Sequence, residues 1–242
     1  MNIIGIIGGL SPESTTHYYS GINRLVNERA GGLTSADMHV RSVNFAKYHA
    51  LMERGEWDTI ALMLRREALN LVNYDGCDYV AIATNTMHKV AKEVGRPIPG
   101  RDMPLVHIGD CIGEECEKIG AKRVLLLGTK FTMTERFMAD FLADGYGIEV
   151  LDMRKLPRDV AEIDRIIFDE LCHGIVLPDS KTYMVSFVDG VVSGEALGHR
   201  PDAVILGCTE LDMILQEGDV GAPLIDSTQV HIRKLADLCL KE

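Results

Sequence analysis

The sequence predicts an α/β protein in which parallel sheets are covered by helices on both faces. Apolar runs of four to six residues alternate along the chain with longer segments of helical period. Several of these runs recur in the second half of the chain at nearly the same spacing. Because parallel strands need long crossover connections, which helices usually supply, this alternation favours doubly wound parallel sheets.

Eight apolar runs predict strands, and seven segments with helical period predict the helices between them. The strands are predicted at 3–8, 38–43, 78–83, 104–108, 123–127, 148–151, 203–206 and 223–225. The helices are predicted at 12–28, 57–73, 110–118, 132–142, 159–172, 180–192 and 228–240. The first helix follows Ser11 as its N-cap and has Pro12 at its first position. The second carries one apolar stripe, formed by Trp57, Ile60, Ala61, Leu64, Ala68 and Leu71.

The two halves of the chain resemble each other in three places that occur in the same order. The matching segments are 3–8 with 123–128 at an offset of 120, 78–84 with 202–208 at an offset of 124, and 104–107 with 223–226 at an offset of 119. Three ordered matches favour two copies of one α/β unit, whereas a single doubly wound sheet of similar strands is the alternative. We expect one lobe at 1–103 plus 218–242 and the other at 104–217, related by a pseudo-twofold axis.

The repeat places Thr84 and Cys208 at the same position in each copy, just past the carboxyl end of a buried strand. In open α/β sheets, this is the edge at which ligands bind. If the copies face each other across the pseudo-twofold axis, these two side chains oppose each other across one cleft. We therefore expect the active site in that cleft.

Composition and charge exclude several classes of function. The chain has 36 acidic and 25 basic residues and a formal net charge of −11, which disfavours a nucleic-acid partner. Its longest apolar stretches are far shorter than the roughly 20 residues that span a bilayer, and its start lacks the basic segment of a secretory signal. These features favour a cytoplasmic protein without a membrane partner.

The six cysteines do not form a recognisable metal site or disulfide framework. None belongs to a C-x-x-C pair, and no histidine cluster has the spacing of zinc ligands. Cys111 and Cys116 are five residues apart on a predicted helix and do not share a face well. We therefore expect no metal, and most of these thiols are interpreted as small core residues.

Three motifs carry the candidate chemistry. The glycine turn at 8–15 reads Gly-Gly-Leu-Ser-Pro-Glu-Ser-Thr, which is typical of a tight strand-to-helix turn or of a helix N-terminus that binds a small carboxylate. It is neither G-x-G-x-x-G nor a Walker loop, so a nucleotide is disfavoured. Thr84-Asn85-Thr86-Met87-His88 and Gly207-Cys208-Thr209-Glu210 place short polar side chains directly after apolar strands. Helix capping by these side chains is the structural alternative.

These motifs resemble the cofactor-independent aspartate/glutamate racemase family, which carries C/T-N-T-x-H in its first half and G-C-T-E in its second. The resemblance extends over nearly the whole chain, including Arg54-Gly55-Glu56-Trp57 and Leu127-Gly128-Thr129. It looks closest to the broad-specificity subgroup with Thr at the first catalytic position. The resemblance implies a homodimer that acts on a small amino acid without pyridoxal phosphate or another cofactor.

The resemblance also implies the roles of individual residues. Thr84 and Cys208 are the catalytic pair that moves the Cα proton between opposite faces of the substrate. The implied substrate-binding residues are Leu10, Ser11, Met52, Asn85, Thr86, Thr129 and Thr209. A threonine hydroxyl, with a pKa closer to that of water at roughly 15.7, is a poor base, so we expect Thr84 to donate a proton and Cys208 to abstract one. We expect the N-terminus of a following helix to bring Cys208 into its thiolate form.

Two departures from the family's pattern concern the substrate's side chain. Relatives often carry Gln where this chain has Met52, and they tend to place a Lys near the position of Glu162. Both departures weaken recognition of a second carboxylate, for which Arg41, Arg158 or Arg165 could substitute.

Two further residues of the motifs, His88 and Glu210, are assigned supporting roles. His88 is interpreted as capping or orienting its loop rather than transferring protons. Glu210 either tunes Cys208 and His88 or simply occupies a favourable helix N-terminus.

Relatives with the same lobes include hydantoin racemases, maleate isomerases and malonate decarboxylases, and fold alone does not choose among them. The other rival is an amino-acid-binding sensor that has lost catalysis.

Overall fold

Strands and helices alternate along the chain in the computed structural model, which describes residues 1–100 and 102–241. The predicted α/β class with parallel sheets is confirmed, because every strand pairing in the described residues is parallel. Positions 101 and 242, which fall within the first predicted lobe, lie outside the described residues.

The strands form two parallel sheets with the same plan. The first sheet has the order β2-β1-β3, and the second has the order β5-β4-β6-β7. The strands of the first sheet are β1 (Ile4–Gly8), β2 (Met38–Ser42) and β3 (Tyr79–Ile82). Those of the second are β4 (Arg123–Leu127), β5 (Glu149–Val150), β6 (Ala203–Leu206) and β7 (Leu224–Asp226). The strand predicted at 104–108 is reduced to a single parallel bridge between Leu105 and Val80.

Within the described residues, ten α-helices lie between or after the strands. They are α1 (Pro12–Ala30), α2 (Phe45–Glu53), α3 (Trp57–Asn73), α4 (Ala91–Val94), α5 (Ile108–Ile119), α6 (Lys130–Thr134), α7 (Phe137–Tyr146), α8 (Pro157–Arg165), α9 (Pro178–Val192) and α10 (Ser227–Leu240). The helix predicted at 132–142 is divided between α6 and α7, because the backbone of Glu135 is extended, with φ −87° and ψ 134°. The helix predicted at 159–172 ends as α8 at Arg165 and continues as a π-helical turn, Ile166–Glu170.

The hydrogen-bond register confirms the internal repeat. In the first sheet Ile4 lies opposite Tyr79, and in the second Val124 lies opposite Ala203, as the offsets of 120 and 124 require. The bridge from Val80 to Leu105 likewise corresponds to the pairing of Val204 with Leu224. The two sheets are therefore copies of one arrangement, matched residue by residue.

The chain divides into two compact units at other points than the sequence predicted. The first unit contains residues 1–108 and 231–242, and the second contains 109–230. The segment from 218 to 230 thus lies in the second unit and not in the first lobe, because β7 pairs with β6. Residues 104–108 belong to the first unit for the corresponding reason, since Leu105 bridges Val80.

Each unit has its own apolar core. One core cluster of the first unit brings residues of α10 onto β1, β3 and α1; its buried members are Ile4, Ile6, Tyr18, Ile22, Val26, Ala81, Ala83, Ile232, Leu235, Ala236 and Cys239. The core of the second unit surrounds β4 and β6 and includes α8 and α9. Among the described residues, no helix combines the length and the apolar character that crossing a bilayer requires.

Candidate active site

Two loops occupy equivalent positions in the two sheets. In the first unit the N–H of Ala83 donates to the carbonyl of Ile7 at 3.0 Å, and in the second the N–H of Gly207 donates to Leu127 at 2.7 Å. Beyond these bonds run the Thr84 loop (residues 83–88) and the Cys208 loop (residues 207–210). Each loop has its candidate catalytic residue half-buried, with buried residues on both sides of it. Each sheet thus presents one side chain with a transferable proton just past the carboxyl end of a strand, β3 in the first sheet and β6 in the second.

The Thr84 loop is fixed by hydrogen bonds to its backbone. The hydroxyl of Ser14 on α1 donates to the carbonyl of Ala83 at 2.8 Å. His88 lies in a 3₁₀ helix, Thr86–Val90, and its Nδ1 contacts the carbonyl of Thr84 at 2.8 Å. Asn85, which precedes this helix, makes no side-chain cap hydrogen bond. These contacts support the orienting interpretation of His88 and disfavour capping by Asn85.

The Cys208 loop holds a protonated thiol against a buried carboxylate. The Cys208 Sγ donates to Glu210 Oε2 at 3.0 Å, and the Thr209 hydroxyl donates to the same oxygen at 2.6 Å. Burial raises the pKa of the Cys208 thiol well above its ordinary value, and the Glu210 carboxylate raises this pKa further. Of the two readings of Glu210, the structure supports the one in which it tunes Cys208.

The expectation of a thiolate stabilised by a helix N-terminus is therefore wrong. The helical turn that comes after the Cys208 loop is a 3₁₀ turn of three residues, Leu211–Met213, which has no appreciable macrodipole. An adjacent carboxylate opposes ionisation of the thiol instead of favouring it. The resting form of Cys208 is a thiol.

Thr129 lies beside the Cys208 loop in the second unit. It follows β4, and its Oγ1 is 3.3 Å from the Oγ1 of Thr132 at the start of α6. A Cβ added to Gly128 would lie 3.0 Å from the carbonyl oxygen of Gly207, so the two backbones approach closely. This proximity is compatible with the binding role that the family resemblance implies for Thr129.

The glycine turn is tightly bonded within itself. The N–H of Gly9 donates to Thr15 Oγ1 at 2.7 Å, and the N–H of Ser14 donates to the hydroxyl of Ser11, the N-cap of α1. Leu10 is buried, whereas Ser11 is partly exposed. Several donors are thus used inside the turn, which supports the tight-turn interpretation over that of an open anion site.

Replacing Gly9 by alanine is expected to destabilise the first unit strongly. Gly9 has a φ of +77°, and an added Cβ would lie 2.2 Å from the carbonyl oxygen of Val43. We expect the free energy of unfolding, measured with urea, to fall by about 3 kcal/mol or more, from backbone strain and overpacking together. Gly31→Ala is the matched control, because Gly31 has a φ of +76° but open space around it, and we expect a loss of about 1 kcal/mol. Equal losses would show that the contact with Val43 does not constrain the turn.

Two of the three arginines considered for the substrate's distal end already bind carboxylates. Met52 is buried at the end of α2. Arg41 binds Asp75 and Glu67 at 2.9 and 3.6 Å. Arg165 binds Glu162 at 2.7 Å, together with a buried glutamate, Glu170, at 2.8 Å. The third candidate, Arg158, is exposed.

The chain is similar to known proteins over nearly its whole length. A family model described as Asp/Glu/Hydantoin racemase matches residues 7–235. The crystal structure of a candidate Asp/Glu racemase from Yersinia pestis is 35% identical, with a TM-score of 0.86 and full coverage of both chains. That of PH1733, an aspartate racemase homologue from Pyrococcus horikoshii OT3, is 34% identical, with a TM-score of 0.82 and full coverage of both. The broad specificity amino-acid racemase RacX of Bacillus subtilis (strain 168) is 22% identical over 229 residues, which are 93% of each chain.

Proposed function

Because the chain belongs to the Asp/Glu/hydantoin racemase family, we propose that it interconverts the enantiomers of a small acidic amino acid through Thr84 and Cys208. Membership of the family confirms the resemblance that the motifs indicated and the predicted class of enzyme, an amino-acid racemase acting as an isomerase. The substrate and the roles of individual residues are the content of the proposal.

The assignment of these roles to Thr84 and Cys208 rests on one observation. The two sheets repeat each other in register, and the equivalent point of each bears a half-buried side chain with a transferable proton. Racemisation requires one group to remove the Cα proton and another to return a proton to the opposite face. A duplicated unit supplies two such groups, and the Thr84 and Cys208 side chains are the pair at the duplicated position.

The Cys208–Glu210 pair determines how the thiol can act as a base. When the Glu210 carboxylate accepts the thiol proton, the pair keeps its single negative charge, which now lies on sulfur. The sulfur then takes the Cα proton, and Thr84 Oγ1 gives its own proton to the opposite face of the carbanion. Solvent returns a proton to Thr84, and Glu210 releases one to solvent. Because a threonine hydroxyl is a very weak acid, we expect a slow enzyme.

The substrate follows from the relatives and not from a cation identified in the structure. PH1733 is described as an aspartate racemase homologue and RacX as a broad specificity amino-acid racemase. Arg41 and Arg165 already have carboxylate partners. We therefore propose aspartate or glutamate as the preferred substrate, with other small amino acids accepted more weakly. The active form is proposed to be a cytoplasmic homodimer, which light scattering after gel filtration tests.

Proton exchange in deuterated water tests the proposal. The purified protein, without added cofactor, is incubated with each enantiomer of aspartate, glutamate and a panel of neutral amino acids, and the Cα proton is followed by NMR. We expect the signal to be lost from both enantiomers of aspartate or glutamate, with formation of the opposite enantiomer. Saturable binding without exchange would support the sensor instead, and loss of carboxylate as CO₂ from a malonate would support a decarboxylase.

A further inference from the structure

Three histidines meet inside the first unit at the base of the Thr84 loop. The His88 ring lies 4.6 Å from the His107 ring and 6.1 Å from the His231 ring, measured between centroids. His88 and His231 are buried, with 4% and 0% of their surfaces exposed. Burial lowers the pKa of all three imidazoles, that of His107 to about 4 and that of His231 to about 3. The cluster is therefore neutral near pH 7.

The hydrogen-bond partners define where each proton lies. The backbone N–H of Ile108 can only donate, and it does so to Nε2 of His88 at 3.2 Å. The proton of neutral His88 is therefore on Nδ1, which donates to the carbonyl of Thr84 at 2.8 Å. A single imidazole thus joins the backbone of Thr84 to the first residue of α5.

His231, the third imidazole of the cluster, has hydrogen-bond partners of its own. The Nε2 of His231 lies 3.1 Å from the carbonyl of Val106, which can only accept, so His231 carries its proton there. Its Nδ1 consequently accepts from the hydroxyl of Tyr18 at 2.8 Å. The first unit consists of two chain segments, one ending at residue 108 and the other beginning at residue 231. The bond between His231 and Val106 joins these two segments.

We propose that His88 is a positioning residue, whose Nδ1–H fixes the Thr84 carbonyl and thereby the direction of the Thr84 hydroxyl. This inference rests on the proposed function, in which Thr84 delivers a proton. A hydroxyl that transfers a proton must be held close to the accepting carbon, and a displacement of about 1 Å can lower a rate by about 10²-fold. Thr84 lies past the end of β3 and is not part of a strand. The His88 imidazole therefore constrains the position of the Thr84 backbone, which the sheet does not.

Two variants separate positioning from packing, because each keeps one of the two hydrogen bonds. The amide nitrogen of His88→Asn can take the place of Nδ1 and keep the bond to Thr84. The amide oxygen of His88→Gln can take the place of Nε2 and keep the bond to Ile108. We expect kcat for Cα proton exchange in His88→Asn to stay within about threefold of that of the unmodified enzyme. In His88→Gln we expect kcat to fall at least tenfold, with KM changed less than threefold and melting temperatures lowered similarly in both.

Tyr18→Phe is the matched control for stability. It removes a buried hydrogen bond from the same cluster without touching Thr84, so we expect a lower melting temperature and an unchanged kcat. A nitrogen-15 NMR spectrum provides a test independent of activity, and we expect the proton of His88 on Nδ1. Equal loss of kcat in His88→Asn and His88→Gln, or a proton on Nε2, would overturn the inference. Absence of exchange by the unmodified enzyme would instead contradict the proposed function.

Discussion

Replacement of Cys208 by serine is expected to lower the rate of racemisation by about 10³-fold. Serine keeps the size of the side chain and a bond to Glu210, but its hydroxyl is a far weaker acid than a thiol and cannot reach a useful anionic form. Both proton-transfer groups would then be hydroxyls. The measurement is kcat/KM for loss of the Cα proton in deuterated water, together with the melting temperature, which we expect to change little.

Cys172→Ser is the control for this variant. Cys172 is also half-buried and packs against the same apolar core as Cys208, and it raises the pKa of Cys208 less than burial and Glu210 do; it does not follow a strand. We expect its kcat/KM to stay within about twofold of that of the unmodified enzyme. An active Cys208→Ser variant, or an equal loss in Cys172→Ser, would exclude the assigned role of Cys208.

The raised pKa of Cys208 also predicts the shape of the pH profile. Only a small fraction of the pair has its charge on sulfur near pH 7, since burial and Glu210 both favour the thiol. Transfer of the thiol proton to Glu210 leaves the number of protons on the pair unchanged, so this fraction does not depend on pH while the pair holds one proton. We therefore expect kcat/KM to be nearly constant through the neutral range and to increase in the alkaline range, where the thiol of raised pKa begins to lose its proton to solvent. A kcat/KM that rises about tenfold per pH unit across the neutral range would contradict proton transfer within the pair.

Loss of stability in mild acid is the second large effect that we expect. The imidazoles of His88, His107 and His231 have lowered pKa values in the folded protein, whereas unfolded histidines bind protons near pH 6.5. Between pH 6.5 and about 4 the unfolded state therefore binds more protons, and stability falls as the pH falls. Three such groups predict a loss of about 6 kcal/mol between pH 7 and pH 5. The measurement is the free energy of unfolding in urea as a function of pH.

A single substitution in the cluster tests the origin of this slope. His231→Gln removes one imidazole, so below pH 6 we expect the slope of unfolding free energy against pH to fall by about 1.4 kcal/mol per pH unit. Tyr18→Phe, which removes the hydrogen bond to His231 but no imidazole, is expected to keep the full slope at lower overall stability. An unchanged slope in His231→Gln would assign the acid sensitivity to other groups.

Strands and helices that have a strong local pattern of apolar residues could be predicted from the sequence. The strands at 123–127 and 203–206 agree with the structure to the residue, because 124–127 and 203–206 are continuous apolar runs that are fully buried. Helix α2 was missed, since its buried residues Tyr48, Leu51 and Met52 span little more than one turn and give no clear periodicity. The break between α6 and α7 at Glu135 has no Gly or Pro to mark it in the sequence.

The sequence predicted equivalent positions for Thr84 and Cys208, but not the electrostatics around Cys208. The repeat placed Thr84 and Cys208 at equivalent strand ends, and the register of the two sheets agrees with this. The protonation state of Cys208 depends on a carboxylate 3.0 Å from the sulfur and on a following turn too short to stabilise an anion. The proton positions of His88 and His231 depend on hydrogen-bond partners that are distant in the chain; Tyr18 and His231 are separated by 213 positions. Single-sequence patterns carry no signal for such pairs.

The isotopic content of the product in the first turnovers tests the central claim most directly. The enzyme is mixed with one enantiomer of the substrate in deuterated water, and both enantiomers are analysed by mass spectrometry before a tenth of the substrate has reacted. If Cys208 removes the proton and Thr84 returns another, the product carries deuterium at Cα while the remaining substrate keeps its original proton. A product that retains the substrate's own proton, or a substrate that gains deuterium before product forms, would show that one group serves both faces.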